Sequence, residues 1–137
     1  MVKRVRMQVK PDTRALFTWF DRILDPAINA SVIEAQDRTG DDILEVADKL
    51  VPVDEGDLRS TLRKGMVKRK GKIFAVMHIM AGGMKGKVTG KTVDYAGYQE
   101  HGTIHMKPSP YIRPSIRKGI KNFNGHFLVA FKRRVPR

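Results

Sequence analysis

From position 12 to position 51 apolar side chains return every three or four residues: Leu16, Trp19, Phe20, Ile23 and Leu24, then Ile28, Val32 and Ala35, then Ile43, Ala47, Leu50 and Val51. Charged and polar residues fill the intervals, which is the pattern of a helix with one face in a core. The spacing predicts one long amphipathic helix over most of residues 12–51, opened by Pro11-Asp12, with Pro26 either a break or the first turn of a second helix. Gly40 lies inside this run, at a cost of up to about 1 kcal/mol relative to alanine. Pro52 ends it. Asp54 then reads as the N-cap of a short second helix, with Asp57 placed to reach back to the cap and Leu58 and Leu62 one turn apart on the buried side.

Past residue 63 the period changes. Met66-Val67 and residues 73–80 are short runs of strand formers, split by the turn-like Arg69-Lys70-Gly71-Lys72. Residues 81–91 hold four glycines with Lys85, Lys87 and Lys91, and predict a mobile basic loop leading to another strand around 88–95. Pro114 fits the first turn of a C-terminal helix, on which Ile116, Ile120, Phe123, Phe127 and Phe131 form one apolar stripe. The predicted class is α+β: a long N-terminal amphipathic helix and a C-terminal helix packed on a small antiparallel β-sheet. A length of 137 residues fits one domain.

Charge adds the next piece. The 27 basic residues exceed the 14 acidic ones unevenly: residues 1–10, a basic N-terminal arm, carry +4, residues 11–62 carry −7, and residues 63–137 carry +16 with only Asp94 and Glu100 acidic. Such polarity favours contact with a polyanion, or with copies of the chain placed acidic face to basic face. No run approaches the roughly 20 apolar residues of a membrane span, the N-terminus lacks the apolar stretch of a secretory signal, and no membrane contact is expected. With no cysteine, disulfides, thiolate zinc sites and thiol catalysis are excluded, in keeping with assembly in a cytoplasm.

Candidate chemistry is thin. His78, His101, His105 and His126 are scattered, and Gly102, Pro108 and Pro110 argue against the helix that His101 and His105 would need to share a metal. Asp41-Asp42 read as part of a solvated helix face, and Asp54 and Asp57 have a capping role, which leaves a magnesium nuclease remote. The serines Ser31, Ser60, Ser109 and Ser115 lack a nucleophile elbow, and no Gly-Lys-Ser/Thr closes the glycine run into a phosphate loop. No enzyme, metal or cofactor is expected. Lys68, Arg69, Lys70 and Lys72, with Lys85, Lys87 and Lys91, would make a basic fringe on a sheet edge, able to touch phosphates without reading sequence.

Two segments together resemble a known family. Residues 52–60, Pro52-Val53-Asp54-Glu55-Gly56-Asp57-Leu58-Arg59-Ser60, are similar to the P-V-D-T-G-x-L-R-x-S segment of the tail-component family of long-tailed bacteriophages, also called neck or tail-completion proteins. Tyr95-Ala96 through Glu100-His101-Gly102-Thr103, then Pro110-Tyr111-Ile112-Arg113-Pro114, resemble that family's Y-A-x-x-x-E-x-G-T and P-F-x-x-P segment. Glu55 stands where threonine is common, His101 where an aromatic is common, and Tyr111 in place of phenylalanine.

The resemblance implies a structural virion protein with a fold related to tail-terminator proteins. It also implies a homo-oligomeric ring at the head–tail junction, touching head-closure or connector proteins on one side and tail-tube or tail-terminator proteins on the other. Genome DNA passing through such a ring would make transient, sequence-independent contacts with the lysines. The alternative from another class is a small non-specific nucleic-acid-binding protein. Within the motifs, Asp54 is expected to cap, Gly56 to let the turn pass closely, and Leu58 to seat the short helix. Tyr95 and Tyr98 are expected beside the long helix, Gly102-Thr103 at a turn, and Glu100 in an ion pair with Arg59 or Arg113.

Overall fold

The computed structural model describes Thr18, Arg22 and residues 25–68 and 75–135. The arm at 1–10, the expected start of the long helix, and the turn with Arg69, Lys70 and Lys72 lie outside these residues. The long helix, α1, covers Asp25–Leu50. Pro26 occupies its first turn, where a missing N–H costs nothing. Its buried face is built largely of small residues, Ala27, Ser31, Ala35, Gly40 and Ala47 with Thr39 and Ile43. That face lets the C-terminal helices and both strands come close.

After α1 the chain turns into a single-turn helix, α2 (Asp57–Ser60). The expected cap at Asp54 is not made: Asp54 is exposed, and Gly56 is the N-cap residue with no side-chain cap. Gly56 holds φ 83°. A Cβ there would meet only Val88, at an ordinary 3.5 Å, so the backbone conformation rather than close passage calls for glycine. Strands β1 (Arg63–Lys68) and β2 (Ala75–Met80) pair antiparallel, Arg63 opposite Met80 and Lys68 opposite Ala75. The further strand expected around 88–95 is reduced to one isolated bridge, Lys85 with Thr92, because most backbone groups there bond within the loop or to α2.

A short helix that the periodicity did not announce, α3 (Ala96–His101), ends at Gly102. His105 therefore lies beyond α3, as Gly102 and the prolines suggested. The C-terminal helix is interrupted: α4 (Ile112–Gly119) and α5 (Phe123–Arg134) are joined by a 3₁₀ turn, Ile120–Asn122. Overwinding there to about three residues per turn rotates the apolar stripe between the two helices. Phe127 and Phe131 stack with ring centroids 5.6 Å apart, while Ile116 and Ile120 edge an open apolar cavity of about 400 Å³ with Ile43, Met77, Ile79 and Phe123. The architecture is α+β, as expected.

Most acidic residues of α1, from Glu34 to Asp48, are matched inside the chain. Glu34 meets Arg38, Arg133 and Arg134; Lys64 bridges Asp37 at 2.8 Å and Asp41 at 2.6 Å; Glu45 meets Lys49 and Asp48 meets Arg59. Asp42 accepts from Asn122 and sits 2.8 Å from His126 Nε2. The hydrogen bond from His126, then that from Asn122, lowers the Asp42 pKa. These carboxylates therefore have partners within the chain, although Asp37, Asp41 and Glu45 stay largely exposed. The partners come from residues far along the chain, which a segment-by-segment charge count does not see.

Candidate functional site

The two motif segments, separated by more than thirty positions in sequence, meet in one place. Val51, Leu58, Val93, Ala96 and Tyr111 form a buried cluster, with Leu62, Ala81, Tyr95 and Ile112 packed on it. Pro52, half-buried, follows Val51 at its edge. Tyr111 is fully buried, and its hydroxyl faces the Ala96 carbonyl at 3.4 Å. Burial first, then the nearby Glu100 charge and Tyr95, pushes the Tyr111 phenol up to about 12. Tyr95, expected beside the long helix, packs half-buried on this cluster instead. Tyr98, also expected to pack, points outward at 60% exposure, because the helical turn of α3 that buries Ala96 and Glu100 carries position 98 away from them.

Glu100 does something other than the expected ion pair. Oε2 accepts from the backbone N–H of Tyr111 at 2.8 Å and of Ile112 at 2.9 Å, and Oε1 accepts from Arg113 N–H at 3.0 Å. These are orphan donors at the start of α4, whose N-cap residue, Tyr111, supplies no side-chain cap. Burial works against the charge, but the N–H groups of Arg113, Ile112 and Tyr111 outweigh it and hold the carboxyl below its ordinary value. Arg59 instead pairs with Asp48, and the Arg113 guanidinium reaches His101 Nδ1 at 3.3 Å. Pro114 sits in the first turn of α4, and exposed Pro110 precedes it. Gly102, at φ 75°, starts the turn: Thr103 N–H donates to the Met106 carbonyl, and Pro108 lies too close for any Cβ at 102.

Asp57 holds the basic loop. Its carboxylate accepts from Val88 N–H at 2.8 Å, Thr89 N–H at 3.0 Å and the Thr89 hydroxyl. The Thr89 hydroxyl is the chief cause, ahead of the two N–H groups, of an Asp57 pKa below its ordinary value. Ser60 Oγ accepts from Lys87 N–H, and Thr61 Oγ1 from Gly82 N–H. Gly86 passes so near Asp57 that a Cβ would overlap the carboxyl group. The loop, expected to be mobile, makes these hydrogen bonds to α2 and its flank, with Lys85, Lys87 and Lys91 exposed. Lys68 lies at the end of β1. The roles of Asp57, Ser60, Thr61 and Gly86 escape a sequence reading because their partners lie 21 to 32 residues away.

Asp57→Ala is expected to release this loop without unfolding the chain. Hydrogen exchange at Val88 and Thr89 should quicken by about tenfold or more, the scale of a lost charge-assisted bond. In the unaltered protein the same release should appear as pH falls below 3.8, the ordinary aspartate value, and on through the lower folded pKa.

Among the described residues no three His, Asp or Glu side chains gather where a metal ion would be held. No helix among them is long and apolar enough to cross a membrane. Comparison with family models, with curated proteins and with solved structures finds no match to this chain.

Proposed function

We propose that the chain is a structural, non-enzymatic virion protein of a long-tailed bacteriophage. It builds a ring at the head–tail junction, joining the portal-side connector to the tail tube while DNA passes through, in a fold of the tail-terminator kind. One observation carries this reading: the two segments that resemble the tail-component family are parts of a single hub. Leu58 of the first packs with Ala96 and Tyr111 of the second, while Asp57 and Glu100 each hold backbone N–H groups of another segment. Residues that fix one another in this way mark a scaffold rather than a reaction centre.

Since most acids of α1 are engaged within the chain, contacts between copies draw on exposed apolar groups in this reading. Val53, Val88, Ile104, Leu128 and Val129 are all more than half exposed. A ring repeats one heterologous contact until it closes, and such side chains suit that contact better than opposite charges already paired.

The second reading, a small non-specific nucleic-acid-binding protein, is favoured by the exposed Lys85, Lys87 and Lys91 on a tied loop. Electron microscopy of the virus particles that carry the chain, with a label on its C-terminus, separates the two. The proposal expects label at the head–tail junction only. A chain absent from particles, with nucleic-acid affinity falling steeply with salt, contradicts the proposal and supports the second reading.

A further inference from the structure

On the outer side of Glu100, a groove of about 320 Å³ is lined by His101, Pro108, Pro110, Arg113, Pro114 and Arg117. From this groove we infer that the protein has a phosphate-binding site made by Arg113, Arg117 and His101. The inference does not depend on the proposed function.

Arg113 and Arg117 are one turn apart on α4, so their like charges share a face and disfavour the helix unless an anion lies between them. No carboxylate among the described residues is paired with either guanidinium. Glu100 is the one acid lining the groove, and both its oxygens are turned to backbone N–H groups. Its charge lowers the local potential without offering a partner. Exposed Lys107 and Lys118 adjoin the groove residues Pro108 and Arg117 in sequence and add positive charge beside them.

The contact between Arg113 Nη2 and His101 Nδ1 fixes the chemistry further. A guanidinium only donates, so Nδ1 accepts and the proton of the imidazole is on Nε2. Every polar side-chain group that Arg113, Arg117 and His101 leave over for a ligand is therefore a donor. Three prolines along the rim limit how far the backbone can rearrange. A donor-only groove with two guanidinium forks fits a tetrahedral oxyanion, which accepts them in bidentate fashion. The phosphate is either free inorganic phosphate or a diester of a nucleic-acid backbone.

Titration of the full chain with inorganic phosphate, at constant ionic strength held with chloride, tests the site. The double variant Arg113→Gln, Arg117→Gln is expected to bind phosphate about tenfold or more weakly. The loop variant Lys85→Gln, Lys87→Gln, Lys91→Gln should bind it as the parent does. A parallel arm measures affinity for a short DNA duplex against salt. If the site takes a backbone phosphate, the double variant lowers the slope of log affinity on log salt by about 1–2. If it takes free phosphate, the slope stays and only the phosphate titration changes. Should the double variant unfold, Arg113→Lys, Arg117→Lys keeps the charge and removes the forks, with weaker binding still expected. Absence of phosphate binding by the parent, equal binding by the double variants, or an equal loss in the loop variant would overturn the inference.

Discussion

Replacing Glu100 by alanine is expected to destabilise the protein by about 2–4 kcal/mol, because three N–H donors at the start of α4 lose a charged acceptor together. The Tyr111 N–H belongs to a fully buried residue and has no ready access to water, whereas the Ile112 and Arg113 groups lie nearer the surface. The loss is therefore less than three full penalties but more than one. For a chain of this size it corresponds to a fall in Tm on the order of 10 °C. Glu100→Gln keeps one acceptor oxygen and should cost less, about 1–2 kcal/mol. Thermal melts of both variants check the order.

The same carboxylate makes stability depend on pH. Its folded pKa lies below the ordinary 4.5, so its contribution is complete above that value. As pH falls through 4.5 and then through the folded pKa, the contribution is lost. A melt series between about pH 3 and 7 should show this decline in the parent and a shallower one in Glu100→Gln. An Arg59 variant should remove only the separate contribution of Asp48, which the Arg59 guanidinium holds below its ordinary value, and leave the difference between the parent and Glu100→Gln unchanged.

Gly119→Ala is the second large effect. Alanine in a helix is favoured over glycine by up to about 1 kcal/mol, so the substitution would stabilise α4 taken alone. In the fold, a Cβ at 119 would overlap Ile43 Cγ1 and stand 3.0 Å from the Ile43 backbone nitrogen. The backbone of α1 cannot turn aside as a side chain can, so α4 must move off α1. The expected net change is a destabilisation of about 1–3 kcal/mol. Gly40→Ala is the control. There the close neighbours are the Met77 sulfur and Lys64 Cδ, flexible side-chain ends that can shift, so gain and strain should nearly cancel. Denaturant unfolding of the two variants should separate them by more than 1 kcal/mol, roughly, on this reasoning.

What could be seen in advance follows from the range of each interaction. The three- and four-residue spacing of apolar groups on α1 announces the helix from within its own sequence, as do the apolar runs of β1 and β2. The interruption at Ile120–Asn122 stayed hidden because the apolar spacing runs on through it. Asp54 looked like a cap because the local pattern offers one. The left-handed Gly56 and the distant loop decided otherwise, taking Asp57 for Val88 and Thr89.

Glu100 was conspicuous as an acid in a basic stretch, yet its partners are backbone N–H groups, which have no residue type to recognise. A usable sign existed. Tyr111, at the start of a helix, offers no capping side chain, and such a start needs an acceptor from elsewhere. The charge count sets an acidic stretch against a basic one but does not see which charges meet. Arg133 and Arg134 reach Glu34 from the far end of the chain, and Lys64 reaches Asp37 and Asp41 from β1, and no local reading foresees those pairs.

In the proposed function the chain is a building block of a closed ring. Native mass measurement of the purified protein, alone and mixed with the connector and tail-tube proteins of its own particle, addresses it most directly. A ring-forming chain gives one discrete multiple of the 15.5 kDa subunit, formed alone or on mixing, that survives high salt because apolar groups hold it. A chain that stays a single subunit with every one of those partners would contradict it.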